Sequence, residues 1–322
     1  MKRGVLLLAH GAPKRVEDIE SYLAYVRSAR PGAGPTPRNV IDEVTERYKE
    51  IGGSSPLTAW TRKQAEALER LLGIPVFVGM RNWHPFIAEA LARVRDAGIE
   101  RLAAICMAPQ YSGVSVGLYM RRTEQAKLEL GLTTEVLWAR SYHDEPLLIE
   151  AFADRIEAAI GQRLQDRPPS QWDRPPGLSG PPDIPRVLFT AHSIPEAALA
   201  NGDPYREETR ATAAAVAARL NIQDWDLAYQ SQGMTGERWL GPTVESRLDG
   251  YAAEGLREVM VDPIGFVCDH VEILYDIDVL FRRYAAERGI SLLRPESLND
   301  SPKYTAALAE VAKRCLGEFK NN

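Results

Sequence analysis

The chain has 322 residues, of which 45% are hydrophobic and 26% are charged, and its formal net charge at pH 7 is −5. This composition excludes disorder, collagen-like and coiled-coil architecture for the bulk of the chain, and it allows about two domains or one large α/β unit. The net negative charge is the wrong sign for a general nucleic-acid-binding protein, so no nucleic-acid partner is expected.

The N-terminal apolar run, residues 5–9, is interrupted by the sequence HGAP at 10–13. It is too short for a secretory signal peptide and is typical of a buried strand. No stretch of the chain reaches the roughly 20 apolar residues that a membrane span needs. Three scattered cysteines without a C-x-x-C pair argue against a disulfide framework and fit a reducing compartment. We therefore expect a cytoplasmic protein with weak or no membrane association.

Short apolar runs alternate with longer amphipathic stretches along the whole chain. The predicted strands are 4–9, 75–79, 102–107, 135–138, 187–190, 226–230, 258–261 and 291–293. Helical periodicity is clearest at 61–72, 85–97, 145–164 and 205–220. This alternation predicts βαβ units with right-handed crossovers and parallel sheets that are buried on both faces.

Two short patterns recur in the same order in both halves of the chain. The pattern A-H-x-x-P occurs at 9–13 and at 191–195, where an apolar strand ends in each half. The pattern S-x-x-D-x-P occurs at 141–146 and at 297–302. Each S-x-x-D-x-P follows a predicted fourth strand and provides an Asp or Ser that can cap the next helix. The repetition predicts a duplicated unit. The expected fold class is α/β, with two similar Rossmann-like lobes, each holding a four-stranded parallel sheet flanked by helices.

A stretch rich in proline and glycine, residues 165–184, separates the two halves. It cannot form a regular element because proline removes a backbone donor and glycine adds conformational freedom. We therefore predict an N-terminal lobe at 1–164, a linker at 165–184, and a C-terminal lobe at 185–322 that carries the metal-site residues.

Two histidines follow equivalent strands, His10 in the first half and His192 in the second. Ligands of open α/β sheets bind beyond the carboxyl ends of the strands. Both imidazoles are therefore expected to face one cleft between the halves. A histidine at such a position can also simply cap a strand-to-helix loop, and the strand end alone does not decide between the two interpretations.

Three carboxylates, Asp269, Glu272 and Asp276, follow the seventh predicted strand. If a helix starts near Asp269, their spacing places them on one face. One interpretation is a solvated acidic face. The flanking apolar residues favour another, in which partly desolvated carboxylates exchange protons near neutral pH. Together with His192 they could bind Fe²⁺, Mn²⁺ or Zn²⁺, or act as an acid–base pair.

Longer motifs in both halves resemble one enzyme family. They lie at 51–57, 189–195, 202–205, 229–233, 239–242 and 263–278. Over essentially the whole chain and in order, the sequence resembles the ferrochelatases, which insert Fe²⁺ into a porphyrin in haem synthesis. The resemblance implies two Rossmann-like lobes with the porphyrin cleft between them. The spacing is similar to that of compact bacterial members, including enzymes that act on coproporphyrin III.

The resemblance also implies roles for individual residues. His192 and Glu272 correspond to the family's inner metal-site pair and are the expected catalytic residues, and Asp276 continues an acidic path that also takes part in metal binding. The family's porphyrin-contacting positions fall on Arg27, Arg47, Tyr48, Ser55 and Tyr119. A monomeric enzyme is expected, with a porphyrin and Fe²⁺ as substrates, haem as product and no organic cofactor. Three cysteines cannot supply the four thiolates of a [2Fe–2S] cluster, so no iron–sulfur cluster is expected.

His10 departs from the family pattern, because coproporphyrin-type relatives usually have Tyr at this position. It could be a satisfied histidine at a strand end. It could instead contact the porphyrin as an axial ligand on the side opposite His192, since imidazole is a good haem ligand.

Three alternatives stay open beside coproporphyrin ferrochelatase. The substrate could be protoporphyrin IX, or the chain could be another tetrapyrrole chelatase that inserts cobalt or nickel. It could also be a carrier that binds haem or porphyrin without catalysing metal insertion.

Overall fold

The computed structural model describes residues 1–28, 34–166, 185–233 and 236–317. The strands are β1 (Arg3–Ala9), β2 (Val76–Met80), β3 (Arg101–Cys106), β4 (Glu135–Ala139), β5 (Arg186–His192), β6 (Trp225–Gln230), β7 (Glu258–Asp262) and β8 (Ser291–Leu293). The α-helices are α1 (Ile19–Ser28), α2 (Arg38–Glu50), α3 (Leu57–Leu72), α4 (Ile87–Asp96), α5 (Val116–Glu129), α6 (Pro146–Asp166), α7 (Glu196–Leu199), α8 (Tyr205–Arg219), α9 (Val244–Ala253), α10 (Val271–Leu274), α11 (Arg282–Ala286) and α12 (Pro302–Leu316). A 3₁₀ helix (Val16–Asp18) precedes α1, and a π-helix (Asp276–Phe281) precedes α11. Residues 167–184 of the predicted linker at 165–184 lie outside the described residues.

The strands form two parallel four-stranded sheets with the same topology. The strand orders are β2-β1-β3-β4 and β6-β5-β7-β8. In each sheet the first strand of the half lies between the second and the third. The two S-x-x-D-x-P patterns end at the first residues of α6 and α12. The predicted fold class of two similar lobes, each with a four-stranded parallel sheet flanked by helices, is confirmed.

The central strands are apolar on both faces because both faces of each sheet are covered. Residues 5–8 of β1 and 187–189 of β5 are completely buried. Complete burial of a leucine or valine side chain stabilises a fold by about 1.5–3 kcal/mol, which accounts for the continuous apolar runs in the sequence. Among the described helices, none combines the length and the apolar character that crossing a membrane would require.

The two halves share one hydrophobic core. The last helix, α12, packs against α3, α6 and the first sheet, while α6 packs against α8 of the second half. Tyr142 and Tyr304 meet in this core, with their hydroxyl oxygens 3.1 Å apart. The lobe boundaries at 164 and 185 stay a prediction. The packing of α12 on the N-terminal sheet shows that a helix of the C-terminal half forms part of the N-terminal lobe's core.

A buried carboxyl group at the end of β7 makes the stability of the fold depend on pH. Asp262 is 3% exposed, and its Oδ2 has no hydrogen-bond partner among the described residues. Burial raises the pKa of Asp262 to about 7, although the charge of Arg294 opposes the rise. The unfolded chain ionises this group near its ordinary pKa of about 3.9. Stability should therefore fall progressively as the pH rises from that value to the native pKa.

We expect Asp262→Asn to remove this pH dependence. Between about pH 4.5 and pH 7.5, the Tm of the unchanged protein should fall a few degrees further than that of the variant, because only the unchanged protein loses a proton from this carboxyl. Thermal unfolding followed by circular dichroism across this range measures the difference. Parallel curves for the two proteins would contradict the prediction.

Candidate active site

A cavity of about 1070 Å³ lies between the lobes and is lined by residues of both. His10, which follows β1, and His192, the last residue of β5, both line it. These strands occupy equivalent positions in the two sheets. The shared A-H-x-x-P pattern therefore brings both imidazoles to the same cavity, as the strand ends predict.

His192 has one ring nitrogen engaged by the backbone and the other directed at a carboxylate. Its Nδ1 lies 2.5 Å from the carbonyl oxygen of Ser193. Because a carbonyl only accepts hydrogen bonds, Nδ1 carries a proton, and Nε2 has a lone pair when the ring is neutral. Nε2 lies 3.8 Å from Oε2 of Glu272. The imidazole can therefore accept a proton at Nε2, where the carboxylate stabilises the resulting charge.

Glu272, on α10, lies between two imidazoles. Its Oε2 is 3.8 Å from Nε2 of His192 and 3.6 Å from Nε2 of His270. Burial by itself would raise the pKa of Glu272. The charge of His192, together with the hydrogen bond and charge of His270, outweighs burial and holds that pKa well below its ordinary value. Glu272 is therefore ionised and places a negative charge at the cavity wall.

The backbone of the segment that carries Glu272 is fixed against β5 and β6. A Cβ atom at Gly265 would lie 2.7 Å from the Cβ of Ala191, closer than real Cβ atoms approach, so the turn needs a glycine here. Gln230, the last residue of β6, donates a hydrogen bond to the carbonyl oxygen of Glu272 at 3.0 Å. These contacts set the position of Glu272 relative to His192.

The prediction that Asp269, Glu272 and Asp276 share one helix face is wrong. The helix begins two residues after Asp269, because His270 is in extended conformation, with φ −160° and ψ −177°. The α-helix has only four residues, and a π-helix begins at Asp276. The carboxylate of Asp269 instead accepts hydrogen bonds from segment 294–299.

Asp276 is buried and is not among the residues that line the cavity. Its Oδ2 accepts a hydrogen bond from Ser231 Oγ at 2.5 Å. Burial raises the pKa of Asp276 to about 6, with the charge of Glu272 adding to the rise and Ser231 opposing it. A carboxyl group with this pKa can exchange protons near neutral pH.

Neighbouring side chains engage both ring nitrogens of His10. Nε2 lies 3.0 Å from the hydroxyl of Tyr22 and 3.0 Å from Nδ2 of Asn82. Nδ1 lies 3.5 Å from a guanidinium nitrogen of Arg81. Burial, aided by the charge of Arg81, lowers the pKa of His10 to about 3, so the imidazole is neutral. To ligate a metal, the ring would have to give up one of these contacts.

Three of the predicted porphyrin-contacting residues, Tyr48, Ser55 and Tyr119, line the cavity. The hydroxyl oxygen of Ser55 is buried and has no hydrogen-bond partner among the described residues, so it can bind a ligand. Burial raises the pKa of Tyr119 to about 12 and also raises that of Tyr48. Both phenols are therefore neutral and offer apolar faces together with hydrogen-bonding groups.

The other two, Arg27 and Arg47, are not among the residues that line the cavity. Arg27 donates from Nε to the carbonyl oxygen of Gly34 at 3.2 Å. Arg47 donates to Oε1 of Glu43 at 2.6 Å and also lies 3.9 Å from Asp276. The structure therefore places Arg47 beside the buried carboxyl group, in a position that the sequence did not indicate.

Sequence reasoning missed three arginines, Arg81, Arg121 and Arg122, that do line the cavity. Arg81 follows β2, and its guanidinium lies 4.9 Å from the ring centre of Tyr119. The consecutive pair at 121 and 122 on α5 is the one sequence signal that could have drawn attention to these side chains. In the described part of the chain, no group of three or more His, Cys, Asp or Glu side chains is arranged to hold a metal ion.

Comparison with known proteins identifies the family. The ferrochelatase family model matches residues 2–316. A ferrochelatase of Acidobacterium capsulatum is 44% identical over 334 residues, which cover 99% of this chain and 96% of that protein. A coproporphyrin III ferrochelatase of Halalkalibacterium halodurans is 33% identical and covers 98% of each chain.

A solved structure supports the same fold. SirB from Bacillus subtilis, determined with Fe³⁺, covers 100% of both chains with a TM-score of 0.58 at 10% sequence identity. This level of identity is informative about the fold alone. The match to the family model and the 44% identity to a named ferrochelatase show that the chain belongs to the ferrochelatase family, whose members are lyases that insert iron into a porphyrin in haem biosynthesis.

Proposed function

We propose that this ferrochelatase acts on coproporphyrin III and produces iron coproporphyrin III with release of two protons. The observation that carries this choice is the presence of Arg81, Arg121 and Arg122 among the residues that line the cavity. Coproporphyrin III has four propionate groups, whereas protoporphyrin IX has two. Guanidinium groups bind carboxylates in paired hydrogen bonds, so a cavity lined by several arginines suits the more acidic porphyrin. Relatives that carry the coproporphyrin name support the proposal.

The proposed chemistry centres on His192. Its Nε2 would accept pyrrole protons as Fe²⁺ enters the ring, and Glu272, 3.8 Å away, would stabilise the imidazolium that forms. Asp276, whose pKa is raised to about 6, would pass protons onward behind the cavity wall. These three residues are also the proposed contacts of the metal ion, with His192 and Glu272 at the cavity and Asp276 on the path behind its wall, and not as one three-residue cluster. Tyr48, Ser55 and Tyr119 would bind the porphyrin, and Arg27 and Arg47 are proposed to contribute only after moving toward its propionates.

Initial rates of Fe²⁺ insertion into the two porphyrins, measured with purified enzyme, test the substrate choice. We expect kcat/KM to be at least about tenfold higher with coproporphyrin III, a difference of roughly 1.4 kcal/mol in transition-state binding. Equal or higher values with protoporphyrin IX would reject the proposal. Faster insertion of Co²⁺ or Ni²⁺ would favour the alternative chelatase, and tight porphyrin binding without turnover would favour the carrier.

We also propose that His10 ligates the product iron from the side opposite His192. Support comes from its position on the cavity wall and from its neutral imidazole. Release of iron product would then be slowed by the bond to His10.

The haem-bound spectrum tests this role. His10→Ala should change the absorption spectrum of the bound product, while the rate of insertion changes only about threefold, because this residue is not the proposed base. Tyr22→Phe is the matched control, since it removes the hydroxyl group that contacts Nε2 of His10 and leaves the imidazole itself in place. An unchanged spectrum in His10→Ala would mean that His10 does not touch the iron.

A further inference from the structure

One partly buried arginine joins the chain on either side of Glu272. Arg294 follows β8 and has a side chain that is only 11% exposed. It donates from Nε and from one terminal nitrogen to the two carboxylate oxygens of Asp278, at 2.8 and 2.7 Å. Its other terminal nitrogen donates to Oδ1 of Asp269 at 3.2 Å. A single guanidinium therefore links the residue three positions before Glu272 to the π-helix that follows it.

The Asp269 end of this link is itself fixed by hydrogen bonds. Its carboxylate accepts from Ser297 Oγ at 2.7 Å and from Asn299 Nδ2 at 2.9 Å. The backbone N–H of Asp269 donates to Oδ1 of Asn299 at 2.9 Å. Asn299 has a φ of +45°, in the left-handed region that asparagine tolerates better than most residues. The C-terminal segment thus forms a rigid support behind the helix that carries Glu272.

The geometry of this support matters for the metal-site pair. Residues 270–277 separate the two ends of the link, and only four of them are α-helical before the π-helix begins. So short a helix has little stability of its own. A catalytic carboxylate must be held within about 0.5 Å of its working position. Because Arg294 is planar and offers donors on two sides, it can fix both carboxylates at once, whereas lysine offers a single point charge.

We propose that Arg294 is a positioning residue for metal insertion. It holds Asp269 and Asp278 at a set separation and thereby holds Glu272 at its distance from His192. The inference rests on the proposed role of Glu272 in that reaction. Arg294 is not among the residues that line the cavity, so its effect should fall on the chemical step and leave porphyrin binding unchanged.

Arg294→Lys tests the inference, with Arg155→Lys as the matched control. Arg155 donates to Glu296 at 2.7 Å and to the carbonyl oxygen of Leu298 at 3.3 Å, so it binds the same C-terminal segment as Arg294. Its hydrogen bonds in the described part of the chain do not include Asp269 or Asp278. We expect Arg294→Lys to lower kcat for Fe²⁺ insertion about tenfold and to leave the porphyrin KM and the quenching of porphyrin fluorescence on binding unchanged. Arg155→Lys should keep kcat within about twofold of the unchanged enzyme. Equal losses in the two variants, or none in Arg294→Lys, would overturn the proposal.

A milder substitution keeps the test valid if Arg294→Lys fails to fold. Asp278→Asn removes one charge from the link and should by itself lower kcat several-fold, so a normal kcat in Asp278→Asn would overturn the proposal. Where Arg294→Lys does fold, the double variant Asp278→Asn with Arg294→Lys should be little worse than the worse single variant. Fully additive losses would mean that the two residues do not act through one link. Glu272→Gln separates the two proposals. Full activity in Glu272→Gln would reject the proposed role of Glu272, whereas an inactive Glu272→Gln beside a fully active Arg294→Lys would reject the positioning role alone.

Discussion

Replacing His192 with alanine should lower kcat for Fe²⁺ insertion about 10³-fold while the affinity for porphyrin changes by no more than about twofold. Nδ1 of His192 is engaged by a backbone carbonyl, so Nε2, 3.8 Å from Glu272, has the lone pair when the ring is neutral. Positioned general bases contribute roughly 10²- to 10⁴-fold to enzymatic rates, and pyrrole nitrogens must lose two protons before iron is seated. Single-turnover insertion at saturating porphyrin, followed by absorbance, measures the loss.

His84→Ala is the control for this experiment. His84 is exposed and pairs with Glu89 at 2.9 Å, outside the set of residues that line the cavity. It should leave both kcat and the porphyrin affinity unchanged. Normal turnover in a folded His192→Ala protein would remove His192 from the reaction, and equal loss of porphyrin binding would indicate a role in the shape of the cavity.

Much of the fold could be predicted because burial on both faces leaves a simple pattern in the sequence. The apolar runs at 5–9 and 187–190 both lie in central strands, and neither strand extends more than two residues beyond its run at either end. The duplicated A-H-x-x-P pattern also predicted that His10 and His192 share a cavity. The packing of α12 on the first sheet could not be predicted, since an amphipathic helix does not specify which sheet it covers.

The candidate site was harder to predict where long side chains and irregular backbone decide it. Arg81 lines the cavity, but an isolated arginine after a strand is more often solvated, so it did not stand out in the sequence. Arg47, which the sequence resemblance predicts to contact the porphyrin, pairs with Glu43 and approaches Asp276. Asp269 was misplaced because helical spacing assumes a regular helix, whereas a short α-helix and a π-helix occupy this segment.

Glu272→Gln should lower kcat about 10²-fold with little change in porphyrin KM. The substitution keeps the size and shape of the side chain and removes the charge that faces His192 at 3.8 Å and His270 at 3.6 Å. At that separation, a unit charge contributes up to about 4 kcal/mol in a partly desolvated site, so the imidazolium formed during insertion would lose much of its stabilisation. Steady-state rates with varied Fe²⁺ and saturating porphyrin give the comparison.

Glu237→Gln is the matched control for Glu272→Gln, because Glu237 is an exposed residue that also lines the cavity. If the effect of Glu272 comes from charge beside the imidazoles, the control should keep kcat within about threefold of the unchanged enzyme. A similar loss in both variants would mean that the overall negative charge of the cavity attracts the metal ion. Near-normal turnover in Glu272→Gln would leave that carboxylate with a structural role, and proton acceptance by His192 would then need no ionised neighbour.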